Sequence, residues 1–404
     1  MGGVRRLLLF AATTGYQIRV FADAARRLGL GLTLATDRCC SLDDPWGDHA
    51  IPVKFQRVEE SLEALRGVEA DGVVAVGDAP AVLAAEAARM LGLRFHTPAS
   101  ARACHDKFLA RQLYQAAGLA VPRFFRAPMD DDAASLARRA EYPCVLKPLG
   151  LAASRGVIRA DNEAEFVAAL ARIRKIGEKF LQVESYIPGR EFAIEGLVRE
   201  GRLLPLAIFD KPDPLEGPFF EETIYVTPSR EAVKVQQALL DTAARAVRAL
   251  GMTHGPAHLE LRYNQRGAWM LEAHARPIGG LCARALRFAG GVTLEEAILR
   301  HAMGEPVEGL ELEGPASGVM MIPIPKGGVY EAVDGVERAR TTPGVEDVVI
   351  TAKQGQKLVP LPEGSSYLGF IFARGNSPEA VEAALRRSHA ELGFRIATAL
   401  ETLR

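Results

Sequence analysis

The sequence has 404 residues, 48% of them apolar, which is enough for two to four domains with a sizeable core. Lys and Arg number 49 against 50 Asp and Glu, a net charge of −1 with histidine neutral. That balance excludes the basic bias expected of a protein that binds nucleic acid or an anionic membrane.

In chain order, residues 4–12 read as a strand, Gln17–Leu28 as a helix and Leu32–Thr36 as a second strand ending at Asp37. Arg5-Arg6 ahead of the apolar run Leu7–Ala12 imitates a signal peptide, but the run is short and a buried first strand fits better. The myristoylation pattern fails at Arg6. Val73–Val76 is a third strand, followed by Gly77-Asp78 and a helix from Pro80 to Leu91. Strands alternating with helices imply a parallel sheet covered on both faces. The first strand–helix turn, Ala11 to Gly15, lacks G-x-G-x-x-G, which argues against a nicotinamide-dependent oxidoreductase. Asp37 can be read as a ribose contact, but a strand-end turn residue is the stronger reading. Nowhere do about 20 apolar residues run together as a membrane span requires. The five cysteines, Cys39, Cys40, Cys104, Cys144 and Cys282, show no metal spacing and are expected as reduced thiols in a soluble cytoplasmic protein.

His105-Asp106-Lys107 opens a predicted helix to Ala117, and Asp130-Asp131-Asp132 reads as a cap for a helix over Ala133–Ala140. Tyr142 to Pro148 is an apolar strand ending in Lys147, followed by the small-residue loop Leu149 to Val157. Backbone N–H groups of such a loop can cradle phosphate, although no Gly-Lys-Ser/Thr of a P-loop follows. A helix over Asp161–Ile173 and a strand over Phe180–Glu184 lead to Ile187-Pro188-Gly189, a sharp turn. This turn is read either as a hinge between lobes or as a plain hairpin. Phe219–Ser229 reads as an irregular loop or short strand, and Val233–Leu250 as a long amphipathic helix.

Two runs of period-2 alternation, His258–Tyr263 and Ala268–Arg276, then flank a turn and predict a β-hairpin. A three-residue loop Gln265–Gly267 sets Glu260 opposite Glu272 and His258 opposite His274. His258, Glu260, Glu272, His274 and Arg276 then share one face, and Leu259, Leu261, Leu271, Ala273 and Ala275 share the core face. Facing carboxylates repel unless one is protonated or a cation lies between them, and a hard divalent cation with oxygen ligands suits the pair. Arg276 and Gly279-Gly280 beside them point to a site that handles phosphoryl charge. Beyond it come a helix at Leu294–Met303, a boundary at Gly304-Glu305-Pro306, short strands, a helix at Pro378–Leu392 and a last stretch at Phe394–Ala399.

Read together, Asp106-Lys107, Val145 to Pro148 with its glycine loop, Glu184 to Phe192, His258-Leu259-Glu260 and Leu271 to Pro277 resemble the ATP-grasp superfamily of carboxylate–amine ligases. The tail motifs Gly318 to Pro325, Pro343-Gly344-Val345 and Gly364 to Phe370 look like the C-terminal domain of its L-amino acid ligase branch, which makes dipeptides or related amides without a ribosome. The resemblance implies an α/β fold with a Rossmann-like parallel-sheet domain over 1–100 and an ATP-grasp domain over 101–305, with a small lid lobe at about 125–185. A C-terminal α+β domain would cover 306–404. It further implies that Lys107 and Lys147 contact ATP phosphates, and that Gly150, Ser154 and Gly156 belong to the lid loop. Glu184 would face the adenine, Tyr186 and Ile187 would contact it through the backbone, and Glu191 would hold the ribose. Glu260 and Glu272 would coordinate Mg²⁺, Arg276 would hold the transferring phosphate or the reacting carboxylate, and Gly279-Gly280 would donate to an oxyanion.

One position departs from the family: His274 stands where Asn is usual, two residues after the second metal Glu. An imidazole is a poorer Mg²⁺ ligand than an amide oxygen. A differently bound second metal, a preference for Mn²⁺ and a substrate contact by His274 all stay open. The chemistry implied is γ-phosphoryl transfer to a carboxylate, then attack by an amine on the acyl phosphate, releasing ADP and phosphate. The substrates would be a small carboxylate and an amine, both expected to be amino acids, and a homodimer is common among such ligases. His258 and His254 are the candidate bases for the amine proton. Competing readings are an ATP-grasp carboxylase or nucleotide-biosynthesis ligase, and a nucleotide-binding module that lost its chemistry with the His274 change. Retention of Glu260, Glu272 and Arg276 argues against the last.

Overall fold

The computed structural model describes residues 4–13, 17–37 and 50–398. Cys39, Cys40, the Thr14-Gly15 part of the first turn and the last residue of the 394–399 stretch lie outside the described residues. The first apolar run forms the strand Arg6–Ala11, which lies between Gly31–Thr36 and Gly72–Val76 in a parallel sheet with Ile51–Pro52 at its edge. A parallel strand is covered on both faces, so it carries no alternation, and Leu7, Leu8, Leu9 and Phe10 are all fully buried. Leu8 and Phe10 share a core with Leu83, Ala84 and Ala87 of the helix Asp78–Leu91. Leu7 and Leu9 share one with Phe21 and Ala24 of the helix Ile18–Arg27. Asp37 accepts hydrogen bonds from the Thr13 backbone and hydroxyl, the turn role expected of a strand end.

The helix predicted from His105 to Ala117 is present as Lys107–Ala116, and a separate helix, Pro98–His105, precedes it. Asp106 separates them: its backbone is extended (φ −102°, ψ 103°) and its carboxylate caps the Phe108 and Leu109 amides. His105 therefore closes the first helix instead of opening the second. That first helix went unread in the sequence, although Thr97 followed by Pro98 is a legible cap and first-turn signal. The cap read at Asp130–Asp132 is present, with Asp132 accepting from the Ser135 amide at the start of Ala133–Arg139.

Phe124–Pro128, Phe180–Ser185, Cys144–Pro148 and Ile158–Ala160 form a four-stranded antiparallel sheet, in that spatial order, backed by the helix Glu163–Arg174. The next strand, Arg190–Arg199, belongs to a different, eight-stranded sheet. Ile187-Pro188-Gly189 is thus a joint between two sheets and not a plain hairpin. Gly189 has φ +127°, and a Cβ there would stand 2.4 Å from the Tyr263 carbonyl oxygen, so glycine is required.

The large sheet runs Gly267–His274, His254–Asn264, Arg190–Arg199, Arg202–Asp210, Ile224–Thr227, Ala316–Ile322, Gly369–Gly375 and Val345–Ile350. It passes without a break from the central part of the chain into the tail, where Ile224 pairs with Met320. The tail also touches the four-stranded lobe: the Gly156 amide donates to the Pro362 carbonyl at 2.8 Å, and Arg172 pairs with Glu363. Among the described residues no helix is long and apolar enough to cross a membrane.

Candidate active site

A cleft opens between the four-stranded lobe and the large sheet. All the predicted site residues except Gly150, Gly156 and the candidate base His254 line it. Those two glycines shape the loop: Gly156 has φ +72°, and a Cβ there would stand 2.7 Å from the Pro148 ring. Between them Ala153 and Ser154 also adopt the left-handed region (φ +54° and +55°), an unfavourable conformation for residues with a Cβ.

On the lobe side, Lys147 ends its strand 2.8 Å from Glu184 on the neighbouring strand. Arg111, from the helix Lys107–Ala116, grips the same carboxylate through two nitrogens and donates to the Met270 carbonyl at 2.6 Å. Burial alone would raise the Glu184 pKa, but Arg111 and Lys147 outweigh it and hold the carboxyl at about 2. Lys107 donates to the Leu151 carbonyl at 2.6 Å, tying the helix to the loop, and lies 3.8 Å from Glu272. At the joint, the Tyr186 amide is spent on the Pro143 carbonyl and the Ile187 carbonyl on Arg262. Among the described residues the Tyr186 carbonyl and Ile187 amide, which point opposite ways from one trans peptide group, have no partner. The Tyr186 ring lies between the Arg159 and Arg262 guanidinium groups, at 4.3 and 5.1 Å.

On the sheet side, Glu191 is held by Lys211 (2.8 Å) and Arg262 (2.9 Å). Lys211 also pairs with Glu222 and lies 3.5 Å from Glu260. One buried ammonium therefore serves three carboxylates. Burial would lower the Lys211 pKa, but Glu191, Glu222 and Glu260 drive it well above the usual lysine value. Burial raises Glu222, with Lys211 offsetting part of the shift.

In the hairpin, Glu260 faces Glu272 and His258 faces His274, as the alternation predicts. The route to that register differs. Asn264 pairs with Gly267, so the loop has two residues, Gln265 and Arg266, and the extra residue sits in the ladder between Met270 and Glu272. That residue is Leu271. The bulge corrects the predicted core face: Met270 enters the core with Leu259, Leu261, Ala273 and Ala275, while Leu271 turns into the cleft.

Each histidine of the facing pair has a carboxylate at both ring nitrogens. Nδ1 of His258 bonds to Glu195, and its Nε2 lies 3.1 Å from Glu260. Burial lowers the His258 pKa against the pull of Glu195. Nδ1 of His274 donates to Asp78 at 2.8 Å, and its Nε2 lies 3.4 Å from Glu272. Burial and Arg276 would lower the His274 pKa, but Asp78 and Glu272 outweigh them and raise it to about 9. The turn after Arg276 is fixed through Ile278, whose carbonyl accepts from Gln17 Nε2 (2.6 Å) and whose amide donates to Glu195 (3.3 Å).

The donor set fits a hard divalent cation. Glu260 and Glu272 face one another across adjacent strands, and their nearest nitrogen neighbours stand 3.1–3.8 Å away. Asp78, Arg111, Glu195, Lys211, Glu222 and Arg262 went unread in the sequence. Lys211 had a signal: Phe209-Asp210-Lys211-Pro212 repeats the strand-ending Lys-Pro of Leu146-Lys147-Pro148. Arg111 lies on a helix face between Ala110 and Tyr114, where a buried charge has no local mark.

Residues 140–285 match the model of the ATP-grasp domain, and residues 320–397 match that of the L-amino acid ligase C-terminal domain 2. The fold is similar to that of an L-amino acid ligase from Bacillus licheniformis, with 26% identity, a TM-score of 0.82, and coverage of 98% of this chain and 100% of that one. The chain is 27% identical over 277 residues to the alanine--anticapsin ligase of Bacillus subtilis, covering 62% of this chain and 58% of that protein. It is 31% identical over 178 residues to the D-alanine--D-alanine ligase of Pseudomonas entomophila, covering 43% of this chain and 54% of that protein. The match spans little more than half the length of these two curated relatives. With its matched catalytic-domain model, its tail model and a common fold along nearly the whole chain, the protein is an ATP-grasp ligase with an L-amino acid ligase C-terminal domain.

Proposed function

We propose that the protein joins the carboxylate of one amino acid to the amine of another, using ATP and releasing ADP and phosphate through an acyl phosphate. The observation that carries this reading is the facing Glu260–Glu272 pair, flanked in one cleft by Lys107, Lys147 and Arg276. A bare carboxylate is a poor acyl donor at neutral pH, so it must be phosphorylated before an amine can displace its oxygen. The work asked of the protein is alignment and charge neutralisation.

Glu260 and Glu272 would hold Mg²⁺, which supplies positive charge to the phosphate oxygens. Lys107 and Lys147 approach the phosphates from the lobe side, with Gly150, Ser154 and Gly156 in the covering loop. The free Ile187 amide suits an acceptor on the adenine edge, Glu184 fixes Lys147 beside it, and Glu191 accepts from the ribose. Arg276 neutralises the reacting anion, and Gly279-Gly280 donates to the tetrahedral oxyanion. His258, kept neutral by burial, takes the proton of the attacking amine. With Nδ1 of His274 bonded to Asp78, its Nε2, 3.4 Å from Glu272, serves either as a donor to Glu272 or as a metal ligand. On this reading the domains divide near residues 100 and 305, with the lid at about 125–185, and the molecule is a cytoplasmic homodimer.

ADP release from Mg²⁺-ATP across single amino acids and amino-acid pairs tests the proposal. Release that needs a pair, and that falls by at least about 100-fold in Glu272→Ala, is expected. No release with any amino acid, singly or in pairs, or release untouched by Glu272→Ala, overturns it. A parallel series in Mn²⁺ should give the same pair dependence if His274 is a donor.

A further inference from the structure

We propose that Asp78, at the end of a strand in the N-terminal parallel sheet, is the positioning residue that aims Arg276 at the reacting anion. The proposal rests on the ligase reading above. Asp78 follows Gly77 (φ +101°) at the end of the strand Gly72–Val76 and opens the helix Asp78–Leu91. It does not line the cleft, whereas His274 and Arg276 do. Its carboxylate lies behind them. Oδ1 accepts from His274 Nδ1 at 2.8 Å and from Arg276 Nε at 3.1 Å, and Oδ2 accepts from the Arg276 Nη2 at 3.3 Å.

The hydrogen count of the guanidinium gives this arrangement its consequence. Arginine has five N–H groups in a rigid plane. The Nε hydrogen and one on Nη2 go to Asp78, and one on Nη1 goes to the Pro277 carbonyl at 3.1 Å. One hydrogen each on Nη1 and Nη2 remains, and Asp78, bound at Nε and Nη2, leaves the end-on fork of Nη1 and Nη2 free of its own oxygens. Such a fork matches two oxygens of one carboxylate or phosphoryl group. Asp78 takes the side-on fork and thereby turns the end-on fork towards the substrate. With Asp78 absent, Arg276 would keep its charge but lose its fixed plane, and the neighbouring carboxylates would compete for it.

The start of another N-terminal helix holds the next turn, since Gln17, just before Ile18–Arg27, donates to the Ile278 carbonyl at 2.6 Å. The helix starts of the N-terminal layer thus set both the side chain and the backbone beyond it. Asp78 connects to Arg276 across 198 positions of sequence, so no local motif announces it.

The test is a mutant cycle of Asp78→Asn, Arg276→Lys and the double variant, followed by steady-state kinetics on an amino-acid pair active with the wild type. Asp78→Asn should lower kcat by about 10- to 100-fold with KM for ATP nearly unchanged. Arg276→Lys keeps a charge for Asp78 but has no fork, and should lose at least as much kcat. The double variant should be no slower than Arg276→Lys alone, because both changes remove one device. A purely structural salt bridge would lower thermal stability while leaving kcat of the folded fraction intact. A wild-type kcat in folded Asp78→Asn, or losses that multiply in the double variant, overturn the proposal. If Asp78→Asn does not fold, Arg276→Lys decides: undiminished kcat there means the fork is unused. If the wild type consumes no ATP with any amino-acid pair, the ligase reading itself fails and takes this proposal with it.

Discussion

Two pairs of stacked histidines each take one member from the strand His254–Asn264 and differ in nearly everything else. His258 and His274 stack at 5.7 Å inside the cleft, and every ring nitrogen of the pair faces a carboxylate. His254 and His301 stack at 4.0 Å and nearly parallel, and their Nε2 atoms meet only backbone carbonyls, of His301 and Val198. His96 joins the second group, with Nε2 on the Pro256 carbonyl and Nδ1 buried without a partner. A carbonyl satisfies one N–H but does not stabilise a second proton, so burial pushes His96 and His301 down to about 4. Carboxylates on both sides let His274 carry a full charge. Stacking is therefore no guide to function here; the partners of the ring nitrogens are.

The largest effect that sharpens this contrast is on turnover. His258→Asn should lower kcat by about 100-fold or more, as expected for loss of a proton acceptor, while folded His254→Asn should stay within a fewfold of wild type. Equal losses in the two variants would erase the functional distinction between the pairs.

Next comes acid stability. His96 and His301 have folded pKa values near 4 against an ordinary 6.5. Between those values the unfolded chain binds protons that the folded chain refuses. Their contribution is complete above pH 6.5 and is lost as pH falls towards 4, by roughly 3 kcal/mol for His96 alone. Urea unfolding at pH 7, 6, 5 and 4.5 should show the decline, and a His96→Gln variant should flatten it. An unchanged slope in that variant would mean that the acid sensitivity comes from elsewhere.

The smallest effect concerns the surroundings of the second pair. Exposed Arg94 adds to the positive field on His254 and His301, behind the larger influence of burial. Arg94→Gln should move the acid transition down by only a few tenths of a pH unit, and less in high salt. A shift of a full unit would assign the effect to packing in place of charge.

The hairpin illustrates how far local pattern carries. Alternation predicts Glu260 opposite Glu272, and the structure has that pairing, yet through a loop one residue shorter and a ladder bulge at Leu271 that restores the count. The pattern is under pressure from burial of Leu259, Ala273 and Ala275, so the register survives an incorrect loop. Leu271 changes face because a bulge leaves no mark in period-2 hydrophobicity. The helix predicted from His105 starts two residues later for a related reason: continuous helical pattern hides the extended backbone of Asp106, which only its capping bonds reveal.

By itself, then, the sequence determined the alternating strands and helices, the order of the lobes, the facing glutamates and the lysines at strand ends. These are features in which side-chain periodicity or a neighbour along the chain specifies the geometry. The tertiary structure alone decided which histidines meet carboxylates, that Lys211 serves three glutamates, that Arg111 supports Glu184 and that Asp78 stands behind Arg276. Such pairings form between segments far apart in sequence. A buried charge finds its partner through the packing of whole sheets, and local sequence carries no term for that encounter.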